Sequence, residues 1–316
     1  MNCDLVNGEL KRRFSPITKS PITKSPMSLI PPNSSLHQSL HHLAKTKQMV
    51  FLAGLPGTGK SLLLQQLAGM ACALGRQVHL LQWDVCRQPF ESHAYVKTHY
   101  PEIDGVTHNG VRKGVGIWAR EAVSNWYARY QKGTDILIGE TPLIGNRLVE
   151  LVRREDDKAE SVLRDETTTY FSVPTPSQEV KRLIEGQREE RSARPLHERE
   201  KGDAQPHIML AAWSEFCSVA HQFNLISADE IGEKLVDYDP DLYFDIYDIL
   251  LKHRPHGRIS MDVILATENK SVYDLNVDQI DLVPTHDEVQ RALNEMEHRY
   301  SDGKTLGNEI DHWYVV

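Results

Sequence analysis

Eight consecutive residues, Gly54-Leu55-Pro56-Gly57-Thr58-Gly59-Lys60-Ser61, carry the most specific chemistry in this sequence. They fit G-x-x-x-x-G-K-S/T, the Walker A phosphate loop. A polyphosphate needs several backbone N–H groups converging on it, and a tight glycine-rich turn at a helix N-terminus offers them. In that reading the segment from Gly54 to Leu62 wraps the phosphates, the Lys60 ammonium sits on the β- and γ-phosphates, and the Ser61 hydroxyl lies on Mg²⁺. The flanks agree. The apolar run Met49-Val50-Phe51-Leu52-Ala53 enters the turn as a strand, and the residues after it form a helix with an apolar face through Ala71 and Leu74. Binding of a nucleoside triphosphate is the expectation that follows.

Further reactive groups close the later strands. The run Val78 to Trp83 ends on Asp84 and Arg87, and in an open α/β sheet ligands collect at the carboxyl ends of the strands. Asp84 is then placed to accept the proton of an acceptor hydroxyl, and Arg87 to hold an anionic acceptor or the transferring group. The alternative is a surface turn in which the two simply pair. The run Asp135 to Gly139 ends on Glu140, a candidate for holding Mg²⁺ or contacting substrate. Gly139 before it would let another backbone or a ligand come close. Between Gly186 and Lys201 the chain carries Arg188, Arg191, Arg194 and Arg199. Alone, such a run reads as a solvated helix face. After the fourth strand of a phosphate-binding domain it reads instead as a lid that brings cations to the equatorial oxygens and excludes water.

The elements that must position these groups follow from periodicity. Residues up to about 35, with the tandem copies Ser15–Lys19 and Ser20–Lys24, read as a disordered tail without a signal-peptide core, and translation is expected to start at Met27. Helical spacing begins at Ser35 with Leu36, Leu40 and Leu43. Glu91 to Asn109, with turn signals at Tyr100-Pro101 and Asp104-Gly105, reads as a long functional loop whose His93, His99 and His108 lack metal-ligand spacing. A helix carries Val115, Trp118, Ala119, Ala122, Trp126 and Tyr130 on one stripe and stops at Gly133. Another starts at Leu148, Leu151 and Val152. Thr168–Val173 is the fourth strand, ended by Pro174 and Pro176, and Ser177 caps a helix that buries Val180, Leu183 and Ile184. A helix over 207–224 contains Trp213 and Phe216. Ile259–Leu265 and Ser271–Leu275 read as strands, the latter the last of the sheet, Glu288–Tyr300 as a helix and Trp313–Val316 as an edge strand. For the acidic, tyrosine-rich Asp237–Asp248, a substrate wall, a partner surface and local packing all stay open.

Composition limits the function classes. Hydrophobic residues at 40% and charged residues at 25% describe an ordinary globular chain. A net charge of -8 argues against bulk nucleic acid as the main partner, while leaving room for a local basic groove. The four cysteines, Cys3, Cys72, Cys86 and Cys217, show neither a disulfide framework nor a zinc pattern, which fits a reducing cytoplasm. No run approaches the ~18 apolar residues of a membrane helix.

The guanine-recognition pattern N-K-x-D fails at Val272 in Asn269-Lys270-Ser271-Val272, and Glu140 stands without the Asp-Glu pair of motor ATPases. With a short Walker A loop, an acid and arginine closing the second strand, an acid closing the third and arginines after the fourth, residues 48 to 205 resemble the phosphate-loop small-molecule kinases, in particular the adenylylsulfate kinase and zeta-toxin-like branch. The resemblance implies ATP and Mg²⁺, Asp84 as base, Arg87 as a substrate contact and the later arginines as a lid. In many members a second acid precedes the base by two residues, where this chain has Gln82, so the acceptor is expected to differ. The implied fold is an α/β, P-loop NTPase-type three-layer sandwich with a mostly parallel five-stranded sheet, a lid at about 186–205 and a C-terminal extension. It divides the chain into a tail at 1–35, a core at 36–225 and a C-terminal part at 226–316 that completes the sheet. The function implied is ATP-dependent phosphorylation of a hydroxyl on a small molecule, a nucleotide or nucleotide-sugar among the candidates. Two rivals stand beside it: an ATP-gated interaction protein whose C-terminal third binds a partner, and a kinase of nucleic-acid components with a basic groove at Arg112, Lys113 and Arg120.

Overall fold

The computed structural model describes residues 29–316 apart from 104–105, 131–132, 228, 230–236, 266 and 268–269. The tandem repeat, Met27, Cys3 and the Asp104-Gly105 turn lie outside the described residues. The tail ends earlier than the sequence suggests. Ile30 is buried, the Leu29 N–H donates to Gln66 at 2.8 Å, and the Ser34 hydroxyl caps the first helix by accepting from the His37 N–H.

In chain order the helices are α1 (Ser35–Thr46), α2 (Lys60–Ala73), α3 (Trp83–Cys86), α4 (Gln88–Ser92), α5 (Ala94–His99), α6 (Asn109–Arg129), α7 (Lys158–Leu163), α8 (Gln178–Ala193), α9 (Pro206–Gln222), α10 (Pro240–Leu250), α11 (His286–Arg299) and α12 (Gly303–Asp311). The strands are β1 (Met49–Ala53), β2 (Gln77–Gln82), β3 (Asp135–Thr141), β4 (Thr169–Pro176), β5 (His256–Met261) and β6 (Gln279–Asp281). They form one sheet in the order β5-β4-β1-β3-β2-β6, parallel at every pairing. β1 is central and buried on both faces, which is why it reads as an unbroken apolar run. Val50 and Leu52 pack with α1 and α2 on one face; Met49, Phe51 and Ala53 pack with α6, α9, α10 and α11 on the other.

Six strands replace the expected five, and the differences have physical causes. Ser271–Leu275 is not a strand: it belongs to the segment that leaves β5 at one sheet edge and reaches β6 at the other, strapped across α2 by hydrogen bonds from Gln65 Nε2 to the carbonyls of Ser271 and Asp274. Leu265, at the end of the expected Ile259–Leu265 strand, is buried against the α1–α2 layer beyond the close of β5 at Met261. β4 continues through Pro174 and Pro176 because Phe171 and Ser177 donate toward the β5 side, whereas pairing with β1 ends at Ser172. Both prolines therefore lack an N–H only where no β1 residue needs one. The turn after β3 tightens into a 3₁₀ segment, Val149–Leu151, in place of a longer helix, and Trp313 is a buried turn residue instead of part of an edge strand. α6 ends at Arg129, so Gly133, at φ 70°, shapes the turn into β3 and does not stop the helix. The long loop after Arg87 holds α4 and α5, and α6 buries Val115, Trp118, Ala119 and Trp126 as its stripe requires. Among the described residues no helix is long and apolar enough to cross a membrane.

Candidate functional site at the carboxyl ends of the central strands

The turn from Gly54 to Ser61 joins β1 to α2 at the carboxyl end of the sheet. Gly59 is the N-cap of α2 at φ 83°, a left-handed conformation that glycine reaches without strain, and no side chain caps the helix. The first amides of α2 are thereby left to an incoming acceptor. Lys60 folds over the turn, its ammonium donating to the Leu55 carbonyl at 2.8 Å, where the Thr58 hydroxyl also donates at 2.9 Å. Burial pulls the Lys60 ammonium down from its ordinary value to about 8, with Glu140 opposing the fall and Arg188 adding to it.

Ser61 and Glu140 meet: the Ser61 hydroxyl donates to Glu140 Oε1 at 2.9 Å. Gln82 Nε2 donates to the other carboxylate oxygen at 3.3 Å, and Arg199 donates to Gln82 Oε1 at 3.2 and 3.3 Å. Gln82 thus joins Glu140 to Arg199. Gly139 admits no ligand; an added Cβ would lie 2.3 Å from the Phe51 ring, so its smallness serves packing against β1.

Asp84 lies on α3 with its carboxylate largely exposed, and its charge acts on Lys60. It also accepts from Arg87 Nε at 3.3 Å, while Arg87 Nη1 donates to Glu91 at 2.6 Å and so holds the guanidinium. Both the site reading and the paired-turn reading of these residues therefore have a counterpart in the geometry. On α8, Arg188 reaches Asp203 at 3.4 Å and Arg191 reaches Glu200 at 3.3 Å. Both line a cleft of about 100 Å³ with Gly57, Lys60, Ser61 and Glu140. Arg194 is exposed at the C-cap of α8 and does not join them. Beyond α8, the short 3₁₀ segment Glu198–Gly202 docks on the strap: Glu200 accepts from the Ser271 hydroxyl at 2.6 Å, Arg199 stacks over the Tyr273 ring, and the Tyr273 hydroxyl donates to Asp203. The expected burial of α8 through Val180 holds, with Leu183 and Ile184 half-buried.

The sequence reading missed Tyr243. On α10, fully buried, it accepts from the Leu55 N–H at 3.3 Å, and a Cβ on Gly54 would lie 2.5 Å from its hydroxyl oxygen. Asp237–Asp248 thus includes the support beneath the Gly54–Ser61 turn, and the helical spacing of Tyr243, Ile246, Tyr247 and Leu250 was the available signal. Asp203 and Glu200 had none beyond lying in a charged run. The basic groove that the nucleic-acid alternative requires at Arg112, Lys113 and Arg120 does not form. Lys113 is buried between Glu150 and Glu309, Arg120 is paired with Asp157 and Glu160, and Arg112 donates inward to the carbonyls of Thr107 and Gly145. No family model matches the chain, and no curated protein matches it in sequence.

Proposed function

We propose that the chain is a phosphotransferase that uses ATP with Mg²⁺ to phosphorylate a hydroxyl of a small molecule, a nucleotide or nucleotide-sugar being the class in view. The observation that carries this reading is the 2.9 Å hydrogen bond between Ser61 and Glu140, made beside Lys60 where a left-handed glycine turn starts a helix. A hydroxyl and a carboxylate held together there suit a hard cation that takes its other ligands from phosphate oxygens and water. Ser61 and Glu140 would hold Mg²⁺ in this reading, and the cation when bound would neutralise the charge that develops on the phosphates. The amides from Gly57 to Leu62 and the Lys60 ammonium bind the phosphate oxygens. Asp84 exchanges its contact with Arg87 for the acceptor hydroxyl and takes its proton, and Arg87 turns to the acceptor. Arg188 and Arg191 leave Asp203 and Glu200 for the transferring group. The strand order, with the loop following a central β1, supports this placement of the ligand at the carboxyl ends of the strands. Cys72, Cys86 and Cys217 are free thiols, in keeping with the reducing cytoplasm we assign to it.

The test is ADP release from purified protein with Mg-ATP, with and without pooled metabolites, run beside Asp84→Asn. Stimulated release that vanishes in the variant is expected; unchanged turnover in Asp84→Asn sinks the base assignment. The docking of the lid on Ser271 and Tyr273 favours one second reading, in which nucleotide binding releases that contact and frees a surface for a partner. Metabolite-independent hydrolysis, with a protein captured in only one nucleotide state, would point that way.

A further inference from the structure

We propose that Arg147, backed by Arg112 and flanked by Arg87, seats a tetrahedral oxyanion of the phosphate type, carried by the acceptor whose hydroxyl faces Asp84. This rests on the reading of Asp84 as the acceptor's base.

The chain leaving β3 is bent so that one side chain points outward. Leu143, Gly145, Asn146 and Leu148 have φ of 50°, 54°, 64° and 62°. Three of the four are not glycine, and such a conformation persists only where its surroundings hold it. Here they do: the Leu143 N–H donates to the Arg147 carbonyl at 3.1 Å, the Arg147 N–H to the Ile144 carbonyl at 3.0 Å, Asn146 Nδ2 to the Ile310 carbonyl at 3.1 Å, and the Tyr247 hydroxyl to the Pro142 carbonyl at 2.9 Å. From Leu143 to Glu150 every residue is buried except Arg147, which is partly exposed.

Its guanidinium lies beside a second guanidinium and one carboxylate. A Cβ placed on Gly145 would be 3.2 Å from Arg147 Nη1, 3.4 Å from Arg112 Nη1 and 3.4 Å from Glu215 Oε1, so two cations and a single acid meet across one backbone position. Arg112 is buried and donates to the carbonyls of Thr107 at 3.0 Å and Gly145 at 2.8 Å, neither of which cancels its charge. Arg147 makes a long hydrogen bond, 3.4 Å to the Ile144 carbonyl. Glu215, exposed on α9, answers both charges through space. Burial, and then the neighbouring Arg147, pulls Arg112 down to about 10. Arg147 is lowered by burial as well, with Glu215 opposing.

Two cations answered by one exposed carboxylate leave a net positive, partly desolvated place that an added anion stabilises. Thr107 links this place to the proposed base: Arg112 Nε donates to its carbonyl at 3.0 Å, Arg87 Nη1 donates to its hydroxyl at 3.4 Å, and Arg87 Nε reaches Asp84 at 3.3 Å. A guanidinium fork with a second cation behind it offers more donors than the two oxygens of a carboxylate fill, and a phosphate monoester with three free oxygens suits it better. The acceptor class is then a phosphate-bearing alcohol, such as a sugar phosphate or a nucleotide, and not a neutral sugar or free nucleoside.

The test is calorimetric titration of the full chain with sodium sulfate at constant ionic strength, for wild type and Arg147→Gln. Each is run with and without saturating Mg²⁺ and β,γ-imido-ATP, which fills the phosphate loop so that the remaining sulfate binding reports the second place. Sulfate is expected to bind the loaded wild type, and Arg147→Gln to weaken that binding at least tenfold while leaving the affinity for the ATP analogue and the thermal midpoint unchanged. Arg147→Lys, which keeps the charge without the fork, should recover part of it, and acetate should bind more weakly than sulfate. Equal sulfate affinity in wild type and Arg147→Gln, absence of sulfate binding by the loaded wild type, or acetate binding as tight as sulfate overturns the proposal. The two readings fail separately. The analogue's affinity reports nucleotide binding alone, and if the analogue does not bind, the Arg147-dependent sulfate heat measured without it still decides the anion site.

Discussion

The Gly54–Ser61 turn and the arginine-bearing helix α8, the phosphate loop and lid of the proposed function, are held by opposite means. Beneath the loop, Tyr243 is fully buried, Leu55 is bonded through both its N–H and its carbonyl, and every partner other than the Lys60 ammonium is neutral. The arginines of α8 are held by long, partly buried ion pairs, Arg188 with Asp203 and Arg191 with the buried Glu200, at 3.4 and 3.3 Å. A buried hydrogen bond costs about 1–3 kcal/mol to break on one side, whereas an ion pair whose arginine keeps contact with solvent contributes about 0–1 kcal/mol. The loop is therefore prebuilt. The contacts of α8 are exchangeable, and under the proposed function its arginines rest on acids that a triphosphate displaces.

The largest expected effect breaks the loop side of this comparison. Lys60→Met should lower nucleotide-dependent turnover roughly 10²–10³-fold, the usual scale for removing one transition-state donor, without lowering the thermal midpoint, since it removes a buried charge. A fall in turnover matched by a fall in midpoint would make Lys60 a structural residue. The same group gives a pH signature. Its pKa is about 8 in the folded chain against 10.5 ordinarily, so the folded state binds this proton less tightly than the unfolded state. Lys60 therefore makes folding stability increase as pH rises from about 8 toward 10.5. Triphosphate affinity should move the other way, falling up to about tenfold per pH unit above 8, because binding favours the charged ammonium. Calorimetry across buffers checks this, and a flat affinity from pH 7 to 10 would contradict it.

Next in size is the support. Tyr243→Phe leaves the Leu55 N–H without its acceptor and should cost about 1–3 kcal/mol of stability by chemical denaturation. Gly54→Ala drives a Cβ toward the Tyr243 hydroxyl oxygen, within 2.5 Å, and toward Thr58 Oγ1, within 2.9 Å, and overpacking of that kind costs about 1–3 kcal/mol. If Tyr243→Phe relieves Gly54→Ala in the double variant, the two report one contact; strict additivity would mean they do not.

What the sequence made readable was local. The phosphate turn, β1 and α2 are one contiguous motif, and Asp84 and Glu140 sit at strand ends, which apolar runs mark directly. What escaped depends on separation or on missing pattern. Tyr243 supports Leu55 from 188 positions away, and nothing near Leu55 announces it. β6 is three exposed residues, Gln279–Asp281, and carries no apolar alternation. Leu275 looked like part of a strand because it is apolar, but it is buried as a strap across the helical layer that holds α2. Arg112 reads as surface charge in the sequence, yet its helix turns it inward beside Gly145.

The smallest effect is the one that sharpens the lid side. Glu200 accepts from the Ser271 hydroxyl and the Leu196 and His197 amides as well as from Arg191, so Glu200→Gln disturbs several bonds at once. Asp203→Asn is cleaner: it removes the charge facing Arg188 and keeps an acceptor for the Tyr273 hydroxyl. Its stability cost should stay within about 1 kcal/mol, the scale of a partly exposed pair. If the acid only keeps the arginine in place until phosphate arrives, losing it should raise triphosphate affinity a fewfold, because Arg188 no longer has to leave a partner. The gain should shrink at high salt, which already screens the Arg188–Asp203 pair. A weaker affinity in Asp203→Asn would instead make Asp203 a positioning residue for Arg188, and the lid would then be as prebuilt as the loop.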